Sequence, residues 1–367
     1  MSLHKGKNFF LENGTWIALF VLFILLSVAT HVDFLSPRNL TNLMRQTSIN
    51  GILAAGMTVI ILTGGIDLSI GSLVALSGIV IGISQVQWGW SALGLHGAIH
   101  SFLLAIAVGL IAGTLNGALI AILRIPPFVI TLGMMVIARG LALILSNGSS
   151  ISPMGESLNS WAENYFSNAT SIGLIAVVAI LSFWQARQKK NYLSFLFSFL
   201  ALGIFTYAFL AYRGLPFLVF FFAVCLASVG FLLEYTTWGR SIFAIGSNER
   251  ASFWAGVPIK KVTFLAYSLM GLLAGLSGTL LTARLNGADP NAGQLFELDA
   301  IAAVVIGGTS LKGGACSVLG SFIGALIIAS LNNGMDLLGV PSFYQMVFKG
   351  LIIIIAVSID RRQVRAA

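Results

Sequence analysis

Long apolar runs separated by short polar segments are the dominant pattern of this sequence. Twelve runs have the apolar character of membrane-embedded helices, of which a full span needs about 20 residues. One run, 298–306, would form a helix of only about 13 Å, less than half of a hydrocarbon core of about 30 Å. The twelve runs are 16–32, 49–63, 68–86, 99–123, 128–145, 172–186, 193–211, 217–233, 262–283, 298–306, 317–331 and 343–358.

Two glycine-rich segments, 63–71 and 306–314, interrupt this pattern. Backbone that leaves the helical conformation at membrane depth persists only where it is buried in protein or lines a wet cavity. We therefore predict short broken or re-entrant helices at these places, and 10 to 12 membrane crossings in total. Before the second run, Ser36 and Pro37 predict a helix start, with the serine as N-cap and the proline at the first helical position.

The composition supports a membrane protein. Residues of the set AVILMFWYC make up 57% of the 367 residues, and charged residues only 9%, against about 25% in soluble domains. So few charges cannot cover the surface of a water-soluble globule. The net charge of +8 does not indicate nucleic-acid binding, because the basic residues lie between apolar runs and form no basic stripe. We predict an all-α, polytopic membrane helix bundle that forms a single domain over residues 1–367.

The distribution of Lys and Arg predicts the orientation. With the N-terminus in the cytoplasm and all twelve runs crossing, 14 of the 20 basic residues fall in cytoplasmic loops. If run 298–306 did not cross, Lys312, Arg361 and Arg362 would lie outside, against the positive-inside rule. Twelve passes with both termini in the cytoplasm therefore fit the sequence best.

Glycines often recur at every fourth position, as in the series Gly109, Gly113 and Gly117 and the pair Gly271 and Gly275. This spacing allows the backbones of membrane helices to approach closely. Signatures of catalysis are absent from the sequence, which has no phosphate-binding loop, no zinc-protease motif and no nucleophile elbow. We expect neither catalytic residues nor a metal site nor a cofactor.

The longest predicted cytoplasmic loop, residues 235–261, contains a candidate helix of about two turns. Ser247 or Asn248 can cap it, Glu249 suits its first turn, and Gly256 can end it in a left-handed conformation. A helix this short is unstable alone in water, so it must dock on this chain or on a soluble partner.

Ionisable residues also occur within or at the edges of the spans, at Asp67, Arg139, Asp299 and Lys349. Such residues are costly in a membrane and often functional. Structural pairing with a neighbouring helix is an equally good explanation for each.

Four blocks of the sequence together resemble the permease subunits of ATP-binding-cassette importers for monosaccharides. They are GILAAGMTVIILTGGIDLSIGSLVALSG at 51–78, PPFVITLGMMVIARGLALILSNG at 126–148, the loop at 237–261, and residues 297–360 with ELDAIAAVVIGGTSLKGG. The resemblance extends over about residues 36–360. It departs from the ribose-type pattern at 172–211, where the chain is more similar to the xylose type, which makes xylose the leading substrate.

The resemblance implies a transport subunit of the bacterial cytoplasmic (inner) membrane that is not itself an enzyme. Its partners would be a separate ATP-binding-cassette ATPase, a periplasmic or extracellular sugar-binding protein, a second permease copy in a homodimer, and membrane lipid. No nucleic acid would be among them. The loop would then couple the chain to the ATPase through Arg240, Gly246, Asn248, Glu249, Arg250 and Gly256.

Polar residues at membrane depth are candidates for the path of a neutral sugar, because hydroxyl-rich ligands need hydrogen bonds together with apolar contact. The candidates are Asp67, Asn116, Thr131, Arg139, Asp299, Asn332 and Gln345. An ion-coupled secondary sugar transporter is the alternative, because Asp67 and Asp299 lie beside the two glycine breaks, as carboxylates in broken helices of such transporters do.

Overall fold

The computed structural model describes residues 2–189, 192–311, 313–314, 316–352 and 354. The described residues are mostly helical, and in place of strands they have only two isolated bridges, Ile151 to Ala288 and Tyr165 to Pro216. The helices are α1 (Ser2–Ala29), α2 (Pro37–Leu62), α3 (Ile70–Gly82), α4 (Leu95–Leu123), α5 (Pro127–Leu145), α6 (Glu156–Glu163), α7 (Asn168–Lys189), α8 (Tyr192–Tyr212), α9 (Phe217–Tyr235), α10 (Thr237–Ser247), α11 (Glu249–Trp254), α12 (Ile259–Leu285), α13 (Phe296–Ile306), α14 (Val318–Leu337) and α15 (342–352).

Each of the twelve predicted apolar runs coincides with a helix over all or most of its described residues, which confirms the predicted membrane helix bundle. Within the described chain, seven helices are long and apolar enough to cross a bilayer: α3 with its π-helical extension to Gln87, α4, α5, α8, α9, α12 and α14. The twelve-pass count remains a prediction. Several of its basic residues, Lys190, Lys312, Arg361, Arg362 and Arg365, lie outside the described residues.

Helix α2 is the central helix of the bundle, and twenty of its residues are buried. Its predicted start is confirmed, because Pro37 is its first residue and the Ser36 side chain accepts a hydrogen bond from the Asn39 amide at 3.3 Å. We use its two ends as reference points, and call them the Ser36 end and the Leu62 end of the bundle.

Helices α4 and α12 pack backbone to backbone, as the glycine spacing predicts. A methyl group added to Gly109 or Gly113 would overlap a carbonyl oxygen of α12, and one added to Gly271 would overlap the carbonyl oxygen of Gly109. No larger side chain fits between these helices, so close approach replaces the hydrophobic driving force that lipid does not supply.

The short helix α13 is preceded by a non-helical, turn-rich segment, 286–295, that runs into the bundle beside α3. Ala288 lies against Gly82, and Gly293 contacts Gly71, which is about three helical turns away along α3, a distance of about 16 Å. Helix α13 adds 11 residues, again about 16 Å. Together they match a hydrocarbon core of about 30 Å.

The loop after α13 lies at the Leu62 end, where the Gly314 amide hydrogen-bonds the Leu62 carbonyl at 3.4 Å. The predicted half-length run 298–306 therefore reaches the opposite end of the bundle from Asn286, which follows α12.

The short helix predicted within the coupling loop is present as α11, and a second helix that was not predicted, α10, precedes it. Gly246 lies in the last turn of α10, and the helix predicted within the loop begins at Glu249. Sequence analysis missed α10 because its apolar residues lie on one face only, without the continuous apolar run of a span.

Candidate functional site

A polar pocket of about 480 Å³ opens at the Ser36 end; we call it the outer pocket. Arg45 and Arg213 lie over the Tyr165 ring, at 6.0 and 5.9 Å from its centroid, and the Arg45 Nη2 donates to the Ala162 carbonyl at 2.9 Å. These contacts hold the cations in place. The pocket is lined by Asp33, Ser36, Arg38, Asn39, Asn42, Arg45, Tyr165, Tyr212 and Leu337.

A second, smaller pocket of about 150 Å³, the inner cavity, lies among α2, α12, α13, α14 and α15. It brings together Asp299, Asn332 and Gln345, three of the seven predicted path residues. Its centre is an ion pair in which Lys349 Nζ donates to Asp299 Oδ2 at 2.9 Å. Asn332 also hydrogen-bonds Asp299, and Gln345 donates to Asp336 Oδ1 at 2.9 Å. The cavity therefore has fixed donors and acceptors.

One contact joins the two pockets. Arg284, which lines the inner cavity, donates from Nη2 to Asn42 Oδ1 at 3.3 Å, and Asn42 lines the outer pocket. On the Leu62 side of the inner cavity the helices pack closely against one another. Gly307 and Gly320 are in backbone contact, and Thr58 Oγ1 donates to Ser321 Oγ at 2.8 Å. Both pockets thus lie on the Ser36 side of this packing.

Three other predicted path residues meet at the break between α2 and α3, away from both pockets. Asp67 is 1% exposed, and its Oδ1 accepts from the amide and the hydroxyl of Ser69 at 2.8 and 2.6 Å. Asn116 donates to Ser69 Oγ at 3.1 Å, and Thr131 to the Ile66 carbonyl at 3.3 Å. This network fastens the break to α4 and α5.

Arg139, the seventh predicted path residue, holds the non-helical segment 286–295. Its guanidinium donates to the carbonyl oxygens of Pro290 and, at 3.0 Å, Ala292. Non-helical backbone inside the bundle has carbonyls without helical partners, and unpaired backbone groups are costly there. Arg139 satisfies two of them from the neighbouring helix α5.

The six predicted coupling residues lie at the Leu62 end, in or beside α10 and α11. The predicted cap and stop are confirmed: Asn248 Oδ1 accepts from the Ala251 amide at 2.9 Å, and Gly256 has φ +81°. Helix α11 presents Phe253 and Trp254, 62% and 85% exposed, next to the exposed side chains of Arg240, Asn248, Glu249 and Arg250. The result is an unpartnered aromatic and polar surface.

Gly246 connects this surface to the core. A methyl group at Gly246 would overlap the carbonyl oxygen of Leu62 and lie 2.5 Å from the amide nitrogen of Gly314. Helix α10 thus contacts the end of the central helix and the loop that follows α13.

Sequence analysis missed Asn50, Arg284 and Phe296, which also line the inner cavity. Asn50 has a visible signal, a lone amide within an apolar run, of the same kind that singles out Asn116 and Asn332. For Phe296 the sequence offers no signal, because a phenylalanine is ordinary in an apolar chain.

Comparisons with known proteins identify the class. Residues 39–357 match the family model described as the permease component of the branched-chain amino acid transport system. The chain is 40% identical to the xylose transport system permease protein of Haemophilus influenzae, over 94% of each chain. It is 38% identical to the ribose import permease protein of Bacillus subtilis, over 95% of this chain and 92% of that relative. Against the xylose permease protein of Escherichia coli the identity is 35%, over 94% and 90%. No solved structure matches the chain.

The protein is therefore a membrane-embedded permease component of a transport system. More particularly, it belongs to the permease family of ATP-binding-cassette importers, in which the relatives above are monosaccharide permeases. The resemblance read from the four sequence blocks is confirmed. Two further predictions are confirmed. The chain is a transport subunit and not an enzyme, and it is a multi-pass protein of the bacterial inner membrane.

Proposed function

We propose that this chain is the membrane path of an importer that carries a monosaccharide, xylose first, across the bacterial cytoplasmic membrane. Two observations support the substrate class. The permeases of known name that it resembles carry xylose or ribose, and the inner cavity offers amides, charges and one aromatic ring without an excess of either charge. Residues 1–367 act as one permease domain.

In this proposal the Leu62 end faces the cytoplasm, where α10 and α11 dock a separate ATP-binding-cassette ATPase. The observation that carries this step is the 85% exposure of Trp254 on a helix of six residues. Such a helix is too short to be stable alone, and buried tryptophan and arginine side chains are the usual anchors of interfaces. Arg240, Asn248, Glu249 and Arg250 surround it as exposed polar groups.

The Ser36 end then faces outward, and the outer pocket receives the sugar from an extracytoplasmic binding protein. Sugar would pass from the outer pocket through the inner cavity, along Asp299, Asn332 and Gln345. The other four predicted residues, Asp67, Asn116, Thr131 and Arg139, support this route by holding the broken backbone beside it. A second copy of the chain completes the membrane unit.

Uptake by proteoliposomes tests the proposal. The chain would be reconstituted with its ATPase and its binding protein, and uptake of radiolabelled xylose, ribose and glucose measured with ATP inside the vesicles. We expect uptake that requires all three proteins and ATP, with xylose transported fastest. Purified chain alone should neither hydrolyse ATP nor accumulate sugar.

The same vesicles test the ion-coupled alternative. If uptake by the chain alone followed an imposed proton or sodium gradient, and an uncoupler abolished it at constant ATP, the importer assignment would be wrong. Uptake that persists with the uncoupler supports it.

A further inference from the structure

We propose that the inner cavity is a binding subsite for one neutral monosaccharide within the permease itself, with Asn50 as a ligand to the sugar hydroxyls. The inference rests on the proposed transport function and assigns the place in the chain where the cargo is held. It adds residues from α2, α12 and α13 to those that the sequence indicates.

The inner cavity contains a buried hydrogen-bond acceptor without a partner in the described part of the chain, the side-chain oxygen of Asn50. The side chain of Asn50 is 92% buried, lines the inner cavity, and its Oδ1 has no hydrogen-bond partner among the described residues. A buried acceptor left without a partner is destabilising, because its hydration is lost and not replaced. A ligand hydroxyl in the cavity would supply the missing donor.

The charges that line the inner cavity are balanced. The inner cavity holds two cations, Arg284 and Lys349, and two carboxylates, Asp299 and Asp336. Because Lys349 is already paired with Asp299, no charge of either sign is left in excess at the buried end. The cavity therefore suits a neutral ligand with many hydroxyls, which can both donate to carboxylates and accept from cations.

The shape of the inner cavity also suits a monosaccharide. Ile49, Leu281 and Phe296 give the polar lining an apolar side, and one aromatic ring beside hydrogen-bonding amides suits the carbon face of a sugar ring. The cavity volume is about 150 Å³. That space is small for a drug-sized ligand and fits a single sugar unit, not an oligosaccharide.

The inner cavity can be reached from the outer pocket. The Arg284–Asn42 hydrogen bond, long at 3.3 Å and exposed, joins a residue of the inner cavity to a residue of the outer pocket. A sugar released into the outer pocket would displace this contact on its way to Asn50. The close packing of α13 on α14 prevents it from going further in this conformation.

Binding of radiolabelled xylose to the full-length chain in nanodiscs, without ATPase or binding protein, tests the inference. We expect saturable binding that ribose or glucose displaces and that leucine does not. Asn50→Leu and Asn332→Leu should each weaken binding about three- to tenfold, the effect of one lost hydrogen bond.

Thermal unfolding of the same samples separates binding from folding. Asn50→Leu should leave the melting temperature unchanged or higher, because it removes an unpaired buried acceptor. Asn333→Leu is the matched control: Asn333 adjoins Asn332 on α14 but exchanges hydrogen bonds with Asn39 at 2.9 and 3.0 Å. It should lower the melting temperature and leave xylose binding unchanged.

Three outcomes would overturn the inference: no saturable xylose binding to the folded chain, equal binding by the wild type and Asn50→Leu, or displacement by leucine instead of sugars. Uptake by the reconstituted complex is measured in parallel. If the complex imports xylose while Asn50→Leu changes nothing, the subsite is wrong and the proposed function stands. If no complex imports any sugar, the proposed function itself fails.

Discussion

Gly246 lies where three segments meet: the last turn of α10, the end of α2 and the loop after α13. Replacement by alanine would drive a methyl group into the carbonyl oxygen of Leu62. We expect Gly246→Ala to lower the free energy of unfolding by about 1–3 kcal/mol, the usual cost of overpacking. It should also reduce the sugar transported per ATP hydrolysed, because α10 is pushed away from the core. Thermal unfolding and coupled uptake measure the two effects.

Gly230 provides the control. It lies within α9 with nothing within 4 Å of an added methyl group, so Gly230→Ala should be neutral or stabilising by up to about 1 kcal/mol. Equal melting temperatures for the two variants would contradict the close contact at Gly246.

Single residues also show the limits of reading the site from sequence. The ionisable residues at Asp67, Arg139, Asp299 and Lys349 stand out in an apolar chain, and both explanations of them, function and structural pairing, are open at that stage. What decides between them is contact across the chain: Arg139 bonds a carbonyl 153 positions away, and Lys349 bonds Asp299 at a separation of 50. No local pattern encodes such distances.

At the scale of elements, the ion pair between α13 and α15 closes the buried side of the inner cavity. Asp299 is 3% exposed and the Lys349 side chain 20%. Removing one partner leaves the other without compensation, so Lys349→Gln should destabilise the chain by up to about 3 kcal/mol. The double variant Lys349→Gln with Asp299→Asn should recover most of this loss. Thermal unfolding of the three proteins measures the recovery, and a double variant as unstable as the sum of the two single variants would exclude the pairing.

For helix α11 we predict the opposite, a substitution of an exposed side chain that has no effect on stability. Trp254→Ala should change the free energy of unfolding by no more than about 0.5 kcal/mol, since the side chain is 85% exposed. Its affinity for the ATPase should fall about thirtyfold, the effect of losing an interface anchor worth about 2 kcal/mol. Surface plasmon resonance with the purified ATPase measures this affinity.

Trp88→Ala is the matched control, because Trp88 is 56% exposed at the Ser36 end of the bundle. It should leave the ATPase affinity unchanged. If both tryptophan variants bind the ATPase as the wild type does, α11 is not the docking helix.

Elements differ in how well the sequence predicts them. The long apolar helices follow from composition alone, and the start of α2 follows from Ser36 and Pro37 because a cap is local chemistry. The non-helical segment 286–295 could not be predicted, since it is stabilised by Gly71 and Gly82 of α3 and by Arg139 of α5. Helix α13 can be short because the segment before it already spans about half of the hydrocarbon thickness.

At the scale of the whole molecule, the two pockets lie at the opposite end of the bundle from the proposed docking surface, which is the exposed face of α10 and α11. The pockets lie toward the Ser36 end, and α10 and α11 lie at the Leu62 end. Gly246, the loop after α13 and α13 itself form a continuous line of contacts from the docking surface to Asp299. This arrangement suits a chain that holds a sugar on one side and is moved by a partner on the other.

The central claim is that helix α11 faces the cytoplasm. Single cysteines introduced as Trp254→Cys and Trp88→Cys, in a chain whose native Cys225 and Cys316 are replaced by alanine, can be labelled with a membrane-impermeant maleimide. The account predicts labelling at position 88 in intact cells and at position 254 only in inside-out vesicles. Labelling at position 254 in intact cells would place the docking surface outside, where no ATPase can reach it, and would contradict the account.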